Sequence, residues 1–255
     1  MEQLKPLFIA QSQVVFTFEQ NAGIRKEVFD YEEKLKEYLK TPFQFISIPE
    51  NIHPEIPRFE STSHNGHSKL SVSQVQVNFL TGYSENFKQN ISEIRSYLTE
   101  RVKALQSLVS RQKVQYLAYI VELGFECEKE WINEFIKQHT NVFAVKDDTI
   151  DFTLLYSFPY KDKYYLNVKC SKYMVQPIEF DLNTLLNNPQ IQSPTIGPTS
   201  HGISVTLDLN SRYHLNKGMQ FQESFFEEIQ NEIFEIVKNN NLQNYLKGEL
   251  YEHVK

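Results

Sequence analysis

Residues 203–215, ISVTLDLNSRYHL, set Ile203, Val205, Leu207, Leu209, Tyr213 and Leu215 in alternation against Ser204, Thr206, Asp208, Asn210, Arg212 and His214. Side chains of a strand point to opposite faces with a period of two, so this stretch predicts a strand with one buried and one polar face. The elements on either side of it decide the fold. Upstream, residues 114–125, VQYLAYIVELGF, are apolar on nearly both faces and predict a central strand. A helix carrying Trp131, Ile132, Phe135 and Ile136 follows. Then IDFTLLYSF (150–158) and KYYLNVKCSKYMV (163–175) predict two strands joined by a turn at Pro159 to Asp162. Downstream, Phe225, Ile229, Ile233, Ile236 and Val237 recur at helical spacing up to Asn239.

The same order of elements runs through residues 1–110. Leu7 to Glu19 predicts a strand with Val14, Phe16 and Phe18 on one face and Gln13, Thr17 and Glu19 on the other. Ile24, Val28, Tyr31, Leu35 and Leu39 then form a helical stripe. Extended pieces follow at 43–48, 57–63 and 69–80, and Asn65-Gly66 predicts a type I′ hairpin between the last two, because both residues tolerate positive φ. Within 69–80 the apolar phase shifts from Leu70 and Val72 to Val75, Val77 and Phe79, which predicts a bulge or sharp bend at Ser73 to Val75. A long helix with Phe87, Ile91, Ile94, Leu98, Val102, Leu105 and Val109 closes this half, with Ser84 as its expected N-cap.

These readings predict an α+β fold in which a β-α-β-β-β-α unit occurs twice, with a mostly antiparallel sheet and long amphipathic helices packed on one face. The first half is residues 1–110. The second is residues 111–255, with an inserted segment at 176–202 (a short helix capped by Asp181, then a loop from 187) and a short C-terminal helix around Tyr245 and Leu246. Together they are expected to form one unit. The doubled layout looks like the saddle of TATA-box-binding proteins in architecture only, since no residues of that family are matched.

Composition narrows the function classes. The chain has 255 residues, a formal net charge of -6, 19 Phe and 14 Tyr but only 8 Gly. No GxGxxG or GxxxxGK[ST] appears, so no cofactor is expected from a phosphate-cradling loop. The acidic balance disfavours general affinity for nucleic-acid backbones. Cys127 and Cys170 lie far apart with no secretory signal, and no apolar run approaches the ~20 residues of a membrane span, so a cytoplasmic protein with reduced thiols is expected.

VVFTFE (14–19), PEIPRFE (54–60), LSVSQVQVNF (70–79) and ESFFEEIQNEIFEIV (223–237), laid in this order, resemble an uncharacterised, sporadically distributed family of bacterial proteins of about this length. That family has no established catalytic residues, so the resemblance implies only a bacterial, cytoplasmic protein, and its patchy distribution fits genes of mobile or defence loci.

Residue constellations that could carry chemistry are few. His64 and His67 have metal-ligand spacing but flank a turn without a nearby Cys or carboxylate, so exposed turn histidines are expected and no metal site is. Asp147, Asp148 and Asp151 lie between extended pieces and read as a polar turn. Cys127 stands between Glu126 and Glu128, which disfavour its thiolate, so no catalytic residue is assigned. The most suggestive surface is the outward face of the strands at 163–173 and 203–215. If those strands are neighbours, Lys163, Tyr165, Lys169, Arg212 and His214 share one face suited to stacking bases or gripping an acidic partner.

The expected function is therefore a non-enzymatic interaction or regulatory module that binds a protein partner, with a homodimer also compatible. A nucleic-acid or nucleotide binder using the Tyr/Lys face is the alternative. An enzyme with dispersed polar residues, Arg58, Asp208, Arg212 and His214, is the third reading.

Overall fold

A computed structural model describes residues 8–140, 151–176, 178–179 and 195–238 of the chain. β1 (Phe8–Phe18) and β6 (Val114–Glu126) run antiparallel at the middle of a nine-stranded sheet, with Val14 opposite Tyr119 and Phe16 opposite Leu117. The order continues outward from β1 through β5 (Gln76–Gly82), β4 (Ser68–Val72), β3 (Phe59–Thr62) and β2 (Gln44–Phe45). From β6 it continues through β11 (Ser200–Asn210), β8 (Tyr164–Val175) and β7 (Thr153–Tyr160). Every pairing is antiparallel. β9 (Ile178–Glu179) and β10 (Thr195–Ile196) form a separate two-stranded ribbon. On the two sides of this central pair, β5 pairs with β1 and β11 pairs with β6.

The α+β class and the antiparallel sheet follow from the sequence. The central, two-sided apolar strand at 114–125 is indeed interior, flanked by β1 and β11. One face of the sheet carries Phe16, Phe18, Leu117, Tyr119, Leu123, Val205, Leu207 and Leu209, all buried. Buried helical side chains belong to the same core. Ile24, Val28, Tyr31, Leu35 and Leu39, spread over a 3-10 turn, α1 (Val28–Leu35) and the residues after it, are all buried, as the stripe predicts. α2 (Ile91–Val109) buries Ile94, Leu98, Val102 and Leu105. α3 (Lys129–Thr140) buries Ile132, Phe135 and Ile136. α5 (Phe225–Lys238) buries Phe225, Phe226, Ile229 and Ile233, and Phe226 meets Phe16 of β1 with ring centroids 5.6 Å apart. Burying a Phe of this kind stabilises the fold by roughly 1.5 to 3 kcal/mol. Among the described residues, no helix is long and apolar enough to cross a membrane.

Four local expectations need correction. The break expected at Ser73 to Val75 is present, but it is a full reversal and not a bulge: residues 69–80 form two strands, β4 and β5, paired as a hairpin with Val72 opposite Val77. Ser73 Oγ accepts from the backbone of Val75 and Gln76 and closes the turn, which is why the apolar phase shifts there. The Asn65-Gly66 turn does join β3 to β4, but only Gly66 has positive φ, at 77°, so it is not type I′; Ser63 N donates to the Ser68 carbonyl across a longer loop, residues 64–67. Asn90 rather than Ser84 caps α2, its side chain accepting from Glu93 N at 3.3 Å. Finally, the strand at 203–215 stops at Asn210, and residues Arg212–Asn216 coil into the short helix α4. Ser211 is fully buried and holds Leu117 through both its backbone and its hydroxyl, which bends the chain away from the ladder. The expected Asp181 cap, residues 187–194 of the expected loop, Asp147, Asp148 and the C-terminal helix lie outside the described residues; in the rest of that loop Thr195–Ile196 form β10 and residues 200–202 open β11.

Candidate partner-binding face

Strand alternation gives the sheet a second, polar face, and the register assembles its centre. One row runs Gln11 (β1), Glu122 (β6), Thr206 (β11), Lys169 (β8). The next runs Gln13, Ile120, Asp208, Asn167, and a third runs Val15, Ala118, Asn210, Tyr165. Apart from Ala118 and Asn210, these side chains are half-buried or exposed. A hollow of about 260 Å³ lies among Gln11, Gln13, Ile120, Glu122, Thr206 and Lys169.

Two of the three charged side chains in the first two rows are already satisfied. Glu122 accepts from Gln11 Nε2 at 2.6 Å and from Ser204 Oγ at 2.8 Å. Asp208 accepts from Asn167 Nδ2 at 2.7 Å and Asn210 Nδ2 at 3.0 Å. Lys169 is exposed and no carboxylate of the described residues pairs with it.

Aromatic rings border this centre at both ends. Gly124 and Gly202 each lie under a cross-strand ring, since a Cβ built on them would stand 2.1 Å from Phe8 and 2.4 Å from Tyr173. Burial, with Glu126 and Cys127 nearby, pushes the Tyr173 hydroxyl up to about 12. At the opposite end Tyr165 meets Tyr213 edge-on at 5.4 Å, and Asn216 Nδ2 lies 3.4 Å from its hydroxyl.

The five residues expected to share one face do not all do so. β8 and β11 are neighbours, as that expectation requires, and Tyr165 and Lys169 lie on the polar face. Arg212 is at its lower margin, donating to Tyr116 OH at 2.8 Å and lying 4.7 Å from that ring. Lys163 and His214 belong to the other side. Lys163 pairs with Glu228 of α5, and the His214 ring is buried 4.6 Å from Phe225. Positions two apart share a face in a strand but stand about 200° apart in a helix, so α4 separates Arg212 from His214.

The dispersed polar set does not converge either. Arg58 lies on the loop before β3, fully buried, and donates to the carbonyls of Ile52 and Ile56 at 2.6 Å each, while Asp208 is on β11. Burial pushes the Cys127 thiol up to about 11 and the Cys170 thiol up to about 12, and neither is bridged. His64 and His67 are exposed at their turn, and among the described residues no group of three or more His, Cys, Asp or Glu is placed to hold a metal.

Sequence reasoning missed Gln11, Glu122 and Thr206, because their hollow exists only once β1, β6 and β11 are set side by side. The polar alternation of each strand was the available signal. No known protein-family profile matches the chain, and no curated protein does.

Proposed function

We propose that the protein is a non-enzymatic interaction module of the cytoplasm whose polar sheet face binds a protein partner. In this reading the chain is two β-α-β-β-β-α halves meeting at β1 and β6, with helices gathered over the apolar face and the other face left for binding. The outward order β5, β4, β3 in one direction and β11, β8, β7 in the other supports the doubling. The observation that carries the function is the composition of the polar face: Val15, Ala118 and Ile120 at its middle, amides and hydroxyls around them, and tyrosines at its margins. An apolar centre with a hydrogen-bonding rim and few charges is the anatomy of protein interfaces. Tyrosine is among the residues that carry most binding energy there.

A nucleic-acid ligand is the second reading, favoured by the Tyr165, Lys169, Tyr173 spacing on one strand face. The central rows carry two carboxylates for one lysine, which weighs against a phosphate backbone.

Affinity capture of the tagged chain from the organism that encodes it, with cross-linking and mass spectrometry, tests the proposal. Partner cross-links should cluster on β1, β6, β11 and β8 polar-face positions. Cross-links confined to the exposed sides of α2 and α5 would overturn it.

A further inference from the structure

Lys169 stands four residues from Tyr165 and four from Tyr173 on β8, so all three project from the polar face, each tyrosine roughly 13 Å from the lysine. Its same-face neighbours along the strand, Asn167 and Ser171, are neutral, and Thr206 lies opposite it. Glu122 is two strands away, about 10 Å, and both its oxygens already accept hydrogen bonds. Both oxygens of Asp208 are likewise occupied by amides. The hollow therefore offers one cation with no ion-pair partner among the described residues, its lining carboxylate, Glu122, being engaged by Gln11 and Ser204, and Tyr165 and Tyr173 stand beyond its two ends along β8.

Resting on the reading that this face binds a protein, we propose that the partner inserts an Asp or Glu side chain into the hollow to pair with Lys169, with apolar side chains on either side of that acid resting on Tyr165 and Tyr173. A carboxylate fits because its two oxygens can take the ammonium and a hydroxyl from Ser171 or Thr206 together. Successive phosphates of a nucleic acid fit less well. Those next to the one at Lys169 would approach Glu122 and Asp208, and backbone affinity is built from several neutralised phosphates.

The test uses the full chain and an array of capped dodecapeptides synthesised in pairs that differ only by Glu or Gln at a central position flanked by Leu, Val or Phe. Wild type should retain Glu members at least tenfold better than their Gln partners. Lys169→Met should abolish that discrimination with an unchanged thermal melt, and Lys169→Glu should reverse it towards peptides with Lys at the same position. Ile120→Trp, which fills the hollow without altering charge, should lower retention of every binding peptide. If wild type does not discriminate Glu from Gln, or Lys169→Met discriminates as wild type does, the acid anchor is wrong. Loss in Ile120→Trp alone would leave the protein-binding face standing without that anchor. Peptide binding indifferent to both variants would remove the face as well. Tight, salt-sensitive binding of a labelled oligothymidylate that is lost in Lys169→Met would overturn the proposal in favour of nucleic acid.

Discussion

Glu228 and Glu232 stand one turn apart on α5 and receive matching partners from a single turn of the chain. Lys163 and Tyr164 both donate to Glu228 Oε2, the tyrosine at 2.7 Å. Lys161 donates to Glu232 Oε2 at 2.6 Å and Tyr160 OH to the same oxygen at 3.2 Å. Lys161 and Asp162 both have positive φ, 52° and 50°, in the turn that presents these four donors. The clasp ties the β7–β8 hairpin, and with it the strand that carries Lys169, to α5. Charge-assisted bonds to one carboxylate from a cation and a phenol are stronger than neutral ones, although partial exposure screens them.

The two lysine and tyrosine bonds hold the Glu228 carboxyl down to about 2 from its usual value near 4.5. A depressed carboxylate contributes stability that is complete above its unfolded pKa and is lost as pH falls through its folded one. The difference in unfolding free energy between wild type and Glu228→Gln should therefore be constant near neutrality, about 1 kcal/mol after screening. It should shrink steadily from pH 4.5 towards pH 2. Urea titrations across that range would measure it, and a gap independent of pH would exclude the clasp as its source.

His214 behaves in the opposite chemical sense. Burial, then the nearby Lys163, lowers its pKa, with Glu228 opposing, and neither ring nitrogen has a hydrogen-bond partner among the described residues. A histidine whose folded pKa lies below its unfolded one costs stability as pH falls below about 6.5. His214→Leu should be neutral or stabilising at pH 7 and should flatten the fall in melting temperature between pH 7 and pH 5. A variant that melts with the wild-type acid slope would place that titration elsewhere.

These residues mark how far the sequence can be read. The buried alternation on β1, β6, β8 and β11 and the stripes on α2 and α5 were legible because one period governs each element. Beyond Asn210 the alternation of residue types continues by coincidence. In the structure His214 is buried while Leu215 is 39% exposed, because Ser211 has already turned the chain. Gln74 is similarly opaque: it is wholly buried in the β4–β5 turn because its amide reaches Glu50 and its N–H the carbonyl of Pro54, contacts more than 19 residues away in sequence. The hollow is a property of register across four strands, so no single segment announces it.

Arg58 gives a prediction on the loop that precedes β3. Its guanidinium, with no exposed surface, reaches the carbonyls of Glu50, Ile52, His53 and Ile56 and lies 3.5 Å from the Glu50 carboxylate, which Arg25 holds at 2.6 Å. Removing the fork leaves several buried acceptors without donors. Arg58→Met should cost on the order of 3 kcal/mol, and proteolysis should then cut first within residues 49–57. Arg58→Lys should recover only part of the loss, since a single ammonium cannot span the carbonyls that the planar fork does. Full recovery by lysine would mean that charge, not fork geometry, organises the loop.

Gly124 and Gly202 allow the aromatic borders of the polar face to be tested against each other. Both are covered by a cross-strand ring, but their surroundings differ in what can move. The three atoms nearest to a Cβ on Gly124 all belong to the Phe8 ring, at 2.1 to 2.8 Å, and a ring near a strand end can swing aside. A Cβ on Gly202 would meet the Phe125 carbonyl oxygen at 2.3 Å as well as Tyr173 at 2.4 Å, and that oxygen is fixed in the β6–β11 ladder. Overpacking of this kind typically costs about 1 to 3 kcal/mol, so Gly202→Ala should fall towards the top of that range and Gly124→Ala towards the bottom. The double variant Gly124→Ala with Phe8→Ala should be less destabilised than the sum of its single changes, because the clash is then absent. Tyr173→Ala should give no comparable rescue of Gly202→Ala, since the backbone contact remains. Equal rescue at the two sites would show that the rings alone, rather than the ladder oxygen at Phe125, determine which glycine must stay a glycine.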